Sequence, residues 1–129
     1  SGQLGIEALS RGAAHCTFVD KGREPVSVIR ENLKKTRLEE RAEVVQADYS
    51  SYLKTCRRQF DLILLDPPYA EIFLETALKI ISEIDILTNS GIIVCERPYE
   101  KSLPDEIPGL ARYRDYRYGK AAVTIFRRG

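Results

Sequence analysis

One stretch constrains the fold of this chain more than any other: Phe60-Asp61-Leu62-Ile63-Leu64-Leu65-Asp66-Pro67-Pro68-Tyr69. Five of its first six residues are apolar, and four of these are Leu or Ile in an unbroken row. A continuous run of this kind, unlike an alternating one, predicts a strand buried on both faces of a parallel sheet. It ends on a carboxylate, two prolines and an aromatic ring. Each proline fixes φ near about −65° and disfavours helix at the residue before it. A rigid turn therefore hangs from the strand end, where open α/β sheets bind their ligands. Asp66, the carbonyl of Pro67 and the ring of Tyr69 are expected to face that crevice together. The first two are acceptors suited to the hydrogens of an exocyclic amino group, and the ring is a stacking surface for a base. The plainer alternative is a proline turn capped by Asp66.

The rest of the chain repeats the pattern of strand, carboxylate, helix. Cys16 to Asp20 reads as a short strand whose terminal Asp20 is either a ribose ligand, as acidic residues are in dinucleotide folds, or a solvated turn residue. A helix follows, with Pro25 in its first turn and a core stripe of Val26, Ile29, Leu33 and Val28. Ala42 to Asp48 is a third strand, and Ser50 or Ser51 caps the helix after it. Glu71 to Ile84 is helical, with a broad apolar stripe that includes Ile72 and Phe73. Thr88 to Gly91 reads as a turn, and Gly91 to Glu96 as a fully buried strand. Pro98 to Gly109 is a loop. Ala111 to Arg128 alternates around Gly119-Lys120 as a β-hairpin. In it Tyr113, Asp115 and Arg117 are expected on one face, with Arg112, Arg114, Tyr116 and Tyr118 on the other. Six basic residues and one acidic lie between Arg112 and Arg128. Contacts to RNA and a charged, aggregation-resistant sheet edge both account for that pattern.

Bulk composition is less specific. At 129 residues, 43% hydrophobic and 30% charged, the chain has the length and make-up of one soluble globular domain. Twenty Lys and Arg against 19 Asp and Glu give no nucleic-acid signal from net charge. Cys16, Cys56 and Cys95 are odd in number and widely spaced, and there is one histidine, so neither a zinc site nor a disulfide framework is indicated. Reduced thiols and a cytoplasmic location are expected. No apolar run approaches the roughly 18 residues of a membrane span.

Asp66-Pro67-Pro68-Tyr69 resembles the [D/N]PP[Y/F] motif of amino-group methyltransferases that use S-adenosylmethionine. Over its whole length the chain is similar to the RsmD family, which methylates the 2-amino group of a guanine in bacterial 16S ribosomal RNA. The resemblance implies a Rossmann-like class I methyltransferase sheet, mostly parallel, with an antiparallel C-terminal hairpin. It implies that Asp66, Pro67 and Tyr69 are catalytic and that Pro68 and Tyr69 contact the substrate. Gly2 and Gly5 match the end of the glycine-rich cofactor loop, with Gly2 allowing close approach of the cofactor and Gly5 close packing of helix on strand. Asp20 would bind the cofactor ribose, and Asp48 with Ala47 the adenine, unless Asp48 is a turn or cap residue. No metal is required. The acidic residue and first glycine of that loop are absent, so residues 1–129 are expected to be one methyltransferase domain truncated within the loop. The family's first strand would then lie between those ending at Asp20 and Asp66. Ribosomal RNA or the assembling small subunit is the expected partner, and a monomer the expected state. The rival readings are adenine methylation in DNA, glutamine methylation of a protein, and a module that keeps the fold without catalysis.

Overall fold

The computed structural model describes residues 2–65, 71–100, 103–104 and 106–129, the side chains of residues 3, 4 and 71–73 excepted. The chain divides into two compact units, Ser1–Thr55 and Cys56–Gly129. Each is described by itself.

In the first unit, strand β1 (Cys16–Asp20) pairs in parallel with β2 (Ala42–Gln46), in register from Cys16 opposite Ala42 to Asp20 opposite Gln46. Helix α1 (Gln3–Ser10) precedes β1, α2 (Arg23–Thr36) connects the two strands, and α3 (Tyr49–Thr55) follows β2. Apolar side chains on α2 recur at helical spacing, so Val26, Ile29 and Leu33 share one buried face. Val28, expected in that stripe, is 39% exposed. At about 100° per residue it lies off the line joining the other three. Leu9, Phe18, Ile29 and Leu33 form the core, with Ile6, Leu38 and Val44 packed against it. Arg41 then ties the strands to α1, since its guanidinium donates to the carbonyl of Leu9 near the helix C-terminus. Carbonyls left over at a helix end favour a cation there.

The second unit is a four-stranded sheet in the order β3-β4-β6-β5. Strand β3 (Phe60–Leu65) runs parallel to β4 (Leu87–Pro98), with helix α4 (Glu71–Glu83) between them in sequence. Strands β5 (Leu110–Tyr118) and β6 (Ala121–Arg128) form the antiparallel hairpin, with β6 against β4. The predicted turn at Thr88–Gly91 lies inside β4. Phe60 pairs with Leu87 but Leu62 with Ile92, so the extra residues form an irregularity within the ladder. A Cβ on Gly91 would sit 2.6 Å from Leu87 Cδ1, so a side chain there would require Leu87 to shift. The turn-forming residues are present, and the pairing on either side absorbs them into the strand.

Strand β3 is not buried on both faces: Asp61 is exposed, and so is Leu62, at 38%. Among the described residues β3 has one ladder partner, β4, and beside Asp61 that partner presents polar chain, Thr88 donating its hydroxyl to the Asp61 carboxylate at 2.7 Å. In β4 one face alone is fully buried. Ile93, Cys95 and Arg97 are closed off with Ala122, Thr124 and Phe126 of β6, while Ile92, Val94 and Glu96 are half-buried.

A second irregularity re-sorts the hairpin. Arg112 pairs with Phe126 but Arg114 with Ile125, so Tyr113 is an extra residue and the alternation resets after it. Arg112 therefore shares a face with Asp115 and Arg117, not with Arg114, Tyr116 and Tyr118 as simple alternation predicts. That face carries an ionic network. Arg112 meets Asp115 at 2.9 Å and donates to the carbonyls of Leu103 and Pro104. Arg97, 8% exposed, lies 3.5 Å from Asp115 and donates to Thr124 Oγ1 at 3.1 Å. Thr124 in turn donates to Asp115 at 2.5 Å.

Asp115 holds this network together. Partial burial pushes its carboxyl pKa up, but hydrogen bonds from Thr124 and Arg112 and the charges of Arg112 and Arg97 outweigh burial and leave it below the ordinary 3.8. A carboxyl whose pKa is lowered by folding stabilises the fold above its unfolded pKa and ceases to do so as pH falls through the folded value. Asp115→Ala is expected to cost about 1–3 kcal/mol at pH 7, less than a wholly buried pair because the Asp115 side chain is 40% exposed. In urea unfolding, the gap between wild type and variant should close as pH falls below about 4. A gap independent of pH would place the effect in packing instead.

Candidate cofactor and catalytic site

The site residues of the first unit collect where β1 and β2 end. Asp20 closes β1, half-buried, and its Oδ1 accepts the Gly22 N–H at 2.8 Å. This local turn fixes the carboxylate at the entrance to α2, and Gly22 leaves room for it, since a Cβ there would lie 2.9 Å from Pro25 Cδ. The Asp20 carbonyl accepts the Ala47 N–H at 3.0 Å. Asp20 and Ala47 are thereby joined at the carboxyl edge of two parallel strands, and Asp48 follows directly. Because the Ala47 N–H is committed to the ladder, that residue has its carbonyl and methyl group to offer a ligand.

Asp48 caps α3. Its Oδ2 accepts both the N–H and the hydroxyl of Ser50, and its carbonyl accepts the Tyr52 N–H at 3.1 Å. Ser50 or Ser51 is the cap the sequence predicts, with Asp48 the alternative; Ser50 is a donor to the Asp48 carboxylate, and the Asp-x-Ser spacing is the signal for that arrangement. The Ser50 hydroxyl, with the N–H groups of Ser51 and Ser50 and the charge of Lys21, holds the Asp48 pKa below its usual value against the opposing effect of desolvation. Asp48 is exposed and anionic, and so able to accept from an amino group as well as to cap.

The two glycines face a different constraint. Gly2 precedes α1 with φ +74°, a conformation side chains rarely adopt. A Cβ on Gly2 would also meet Ile29 Cγ1 at 2.9 Å. On Gly5 a Cβ would lie 2.5 Å from the Phe18 ring and 3.0 Å from Cys16 Sγ. The absence of a side chain at Gly5 is what lets α1 lie on β1, as the sequence implied. Gly2 lies beside Phe18, and Gly5 reaches back to Cys16. The N-terminus of α1 therefore sits at the end of β1 that carries Asp20. Both glycines are thus required for packing against Ile29, Phe18 and Cys16, and the Asp20 and Asp48 carboxylates at the strand ends are the acceptors whose chemistry fits the hydroxyl and amino groups of an adenosine-type cofactor.

In the second unit β3 runs to Leu65, opposite Cys95 of β4. Asp66, Pro67, Pro68 and Tyr69 lie outside the described residues, as does Ser1. Cys16 and Cys95 are protonated near neutrality: burial pushes Cys16 up to about 11 and Cys95 up to about 12, the latter against the charge of Arg97. Among the described residues no three His, Cys, Asp or Glu groups could hold a metal ion, and no helix is long and apolar enough to cross a membrane.

The family described as "Conserved hypothetical protein 95" matches residues 1–127. The chain belongs to this family, the RsmD family. YlbH of Bacillus subtilis, whose name assigns it to rRNA methylation, is 38% identical over 99% of this chain and 71% of its own length. Ribosomal RNA small subunit methyltransferase D of Haemophilus influenzae is 30% identical over 90% of this chain and 66% of its own length. The chain thus spans about two thirds of these relatives. The solved structure of Escherichia coli yhhF, named as a methyltransferase, superimposes with a TM-score of 0.88 at 27% identity, covering 99% of this chain and 71% of that one. The fold is that of the class I methyltransferases.

Gly5→Ala sets two effects against each other. Alanine favours helix by about 1 kcal/mol over glycine. The contact at 2.5 Å from an aromatic ring, however, requires α1 or Phe18 to shift. Overpacking of this kind costs about 1–3 kcal/mol and should win. Thermal melts are expected to show Gly5→Ala destabilised and the Gly5→Ala, Phe18→Leu double variant less so than the two single effects combined. Simple additivity would mean that α1 is not held by this contact.

Proposed function

We propose that this chain is the catalytic part of an S-adenosylmethionine-dependent methyltransferase acting on the 2-amino group of a guanine in small-subunit ribosomal RNA. The observation that carries the proposal is the joined edge of β1 and β2, with Asp20, Ala47 and Asp48 beside the start of α1, in a chain of the RsmD family. Asp20 would take the ribose hydroxyls, Asp48 the adenine amino group, and Gly2 would leave space for the cofactor. When bound, S-adenosylmethionine supplies an electrophilic methyl group on a sulfonium and leaves as a neutral thioether.

The remaining work falls to the residues after β3. An aryl amine is a poor nucleophile because its lone pair is delocalised into the ring. Acceptors at the Asp66 carboxylate and the Pro67 carbonyl would hold its two hydrogens, favour a tetrahedral nitrogen and stabilise the positive charge that develops there. After transfer the nitrogen loses a proton to Asp66 or to water. Tyr69, with Pro68 beside it, would stack on the guanine once it is turned out of its helix or loop. The substrate is ribosomal RNA, naked or in an assembling subunit, and the location is cytoplasmic.

Small-subunit RNA methylated by the full protein, digested to nucleosides and weighed by mass spectrometry, should contain new N2-methylguanosine. Asp66→Ala is expected to lower kcat by roughly a hundredfold or more while leaving S-adenosylhomocysteine affinity within a few-fold. Asp20→Ala should do the reverse, weakening S-adenosylhomocysteine binding about 10- to 100-fold by calorimetry. N6-methyladenosine as the product would replace this reading by adenine methylation. Full turnover in Asp66→Ala would remove the catalytic role assigned to the motif.

A further inference from the structure

The hairpin carries a surface that the chemistry above does not use. Its six basic residues divide by what they touch. Arg112 is taken up by Asp115 and the Leu103 and Pro104 carbonyls, and Arg128 by Asp85 and the Leu87 carbonyl. Arg114, Arg117 and Arg127 lie against exposed tyrosines, and Lys120 is exposed at the turn. Of the six large apolar side chains exposed among the described residues, four are Tyr99, Tyr113, Tyr116 and Tyr118. Charge alone would protect an edge strand from pairing with another chain. Exposed rings work against that purpose, so edge protection does not explain the combination.

The register of the sheet places part of this surface beside the catalytic end. Leu65 of β3 lies opposite Cys95 of β4, and Pro98, three residues on, lies opposite Ala121, just after the hairpin turn. The turn at Gly119 and Lys120 is therefore on the same end of the sheet as the carboxyl end of β3. Three strand spacings separate β3 from β5, roughly 14 Å. At the tip the Arg117 guanidinium lies 3.7 Å from the Tyr99 ring centroid and donates to the Gly119 carbonyl at 2.9 Å. The Tyr99 N–H is held by the Lys120 carbonyl at 2.7 Å. Tyr118, 64% exposed, pairs with Ala121 and so belongs to the opposite face of the sheet from Arg117, which pairs with Ala122. Asp115, the acid of β5, is turned into the ionic network, so its charge is neutralised away from the tip. Glu100 follows Tyr99 in sequence and is exposed.

We infer that the hairpin tip, with the stacked Tyr99–Arg117 pair, Tyr118 and Lys120, is a docking platform for a single-stranded RNA segment flanking the target base. The inference rests on the proposed activity and adds to it where the substrate is held. A single strand passing over the tip would meet the Arg117 cation and Tyr99 ring on one face and the Tyr118 ring on the other, so that phosphates find cations and bases find rings. An acidic protein would satisfy the cations and leave the exposed rings without a stacking partner.

The test uses the full protein, a fluorescent 12-nucleotide single-stranded RNA for direct binding, and small-subunit ribosomal RNA for turnover. Tyr118→Ala is expected to weaken RNA binding roughly 5- to 100-fold. Lys120→Ala should lower the slope of log affinity against log salt by about 0.7, the value for one phosphate contact on a single strand. Arg117→Lys keeps the charge but loses the planar stack, and should fall between Arg117→Ala and wild type. In each, the KM for RNA should rise while kcat, S-adenosylhomocysteine affinity and the melting temperature hold. Lys79→Ala, on α4, serves as the surface control. RNA affinity and RNA KM within twofold of wild type in all the tip variants would overturn the proposal. So would binding of ribosomal protein but not RNA by the wild type. RNA binding that depends on the tip, without methyl transfer by the wild type, would keep the platform and reject the proposed activity.

Discussion

The hydrogen-bond register of β4 fixes the position of most of what matters in the second unit. This strand pairs in parallel with β3 on one side and antiparallel with β6 on the other. Side chains alternate with a period of two, so a slip of one residue would exchange the two faces. Ile93 and Cys95 would then leave the core, and Arg97 would be separated from Thr124 and Asp115. The same register sets the hairpin turn at the carboxyl ends of β3 and β4. The ionic network and the end of the sheet where ligands bind are thus two consequences of one ladder. Leu87, held against Phe60, and Arg128, bound to the Leu87 carbonyl, anchor its far end.

Much of this order is visible in the residues themselves. Cys16 to Asp20 and Phe60 to Leu65 form the strands that their apolar runs and terminal carboxylates predict, and the hairpin turns at Gly119 and Lys120 as expected. These features are local: a run, a breaker, a glycine with positive φ. What failed depends on the neighbouring strand. Thr88 to Gly91 has turn chemistry, yet Thr88 is held by Asp61 and Leu87 by Phe60, so pairing takes the segment into β4. Arg112 changes face because Tyr113 is an extra residue against β6, which alternation along β5 alone cannot reveal. Asp48 was legible as one residue with two possible uses, and the contact with Ser50 shows its structural one.

The site was legible to a different degree in each unit. The Gly5 contact with Phe18 follows from residue size once α1 is laid on β1, and the glycine spacing announced it. The joining of Asp20 and Ala47 did not follow from either residue type. It arises because parallel strands in register end together, so two carboxylates 28 positions apart in sequence reach one edge. In the second unit the motif after Leu65 lies outside the described residues, and the structure shows only the strand β3 that leads to it.

Net charge argues against nucleic acid only at the level of the whole chain, and the charges are unevenly distributed along it. The total is +1, yet six basic residues and one acidic lie between Arg112 and Arg128, which leaves the rest of the chain net negative. Charges separated by more than a Debye length, about 10 Å at 0.1 M salt, scarcely feel one another through solvent. A phosphate at the hairpin tip therefore responds to the charges around it, not to the total. Two of the six cations are neutralised within the unit by Asp115 and Asp85, and the others lie at the hairpin surface. On the proposed reading, RNA affinity would come from a few oriented contacts and ring stacking, with little long-range steering, as would suit an enzyme holding one short segment in register with a strand end and then releasing the product.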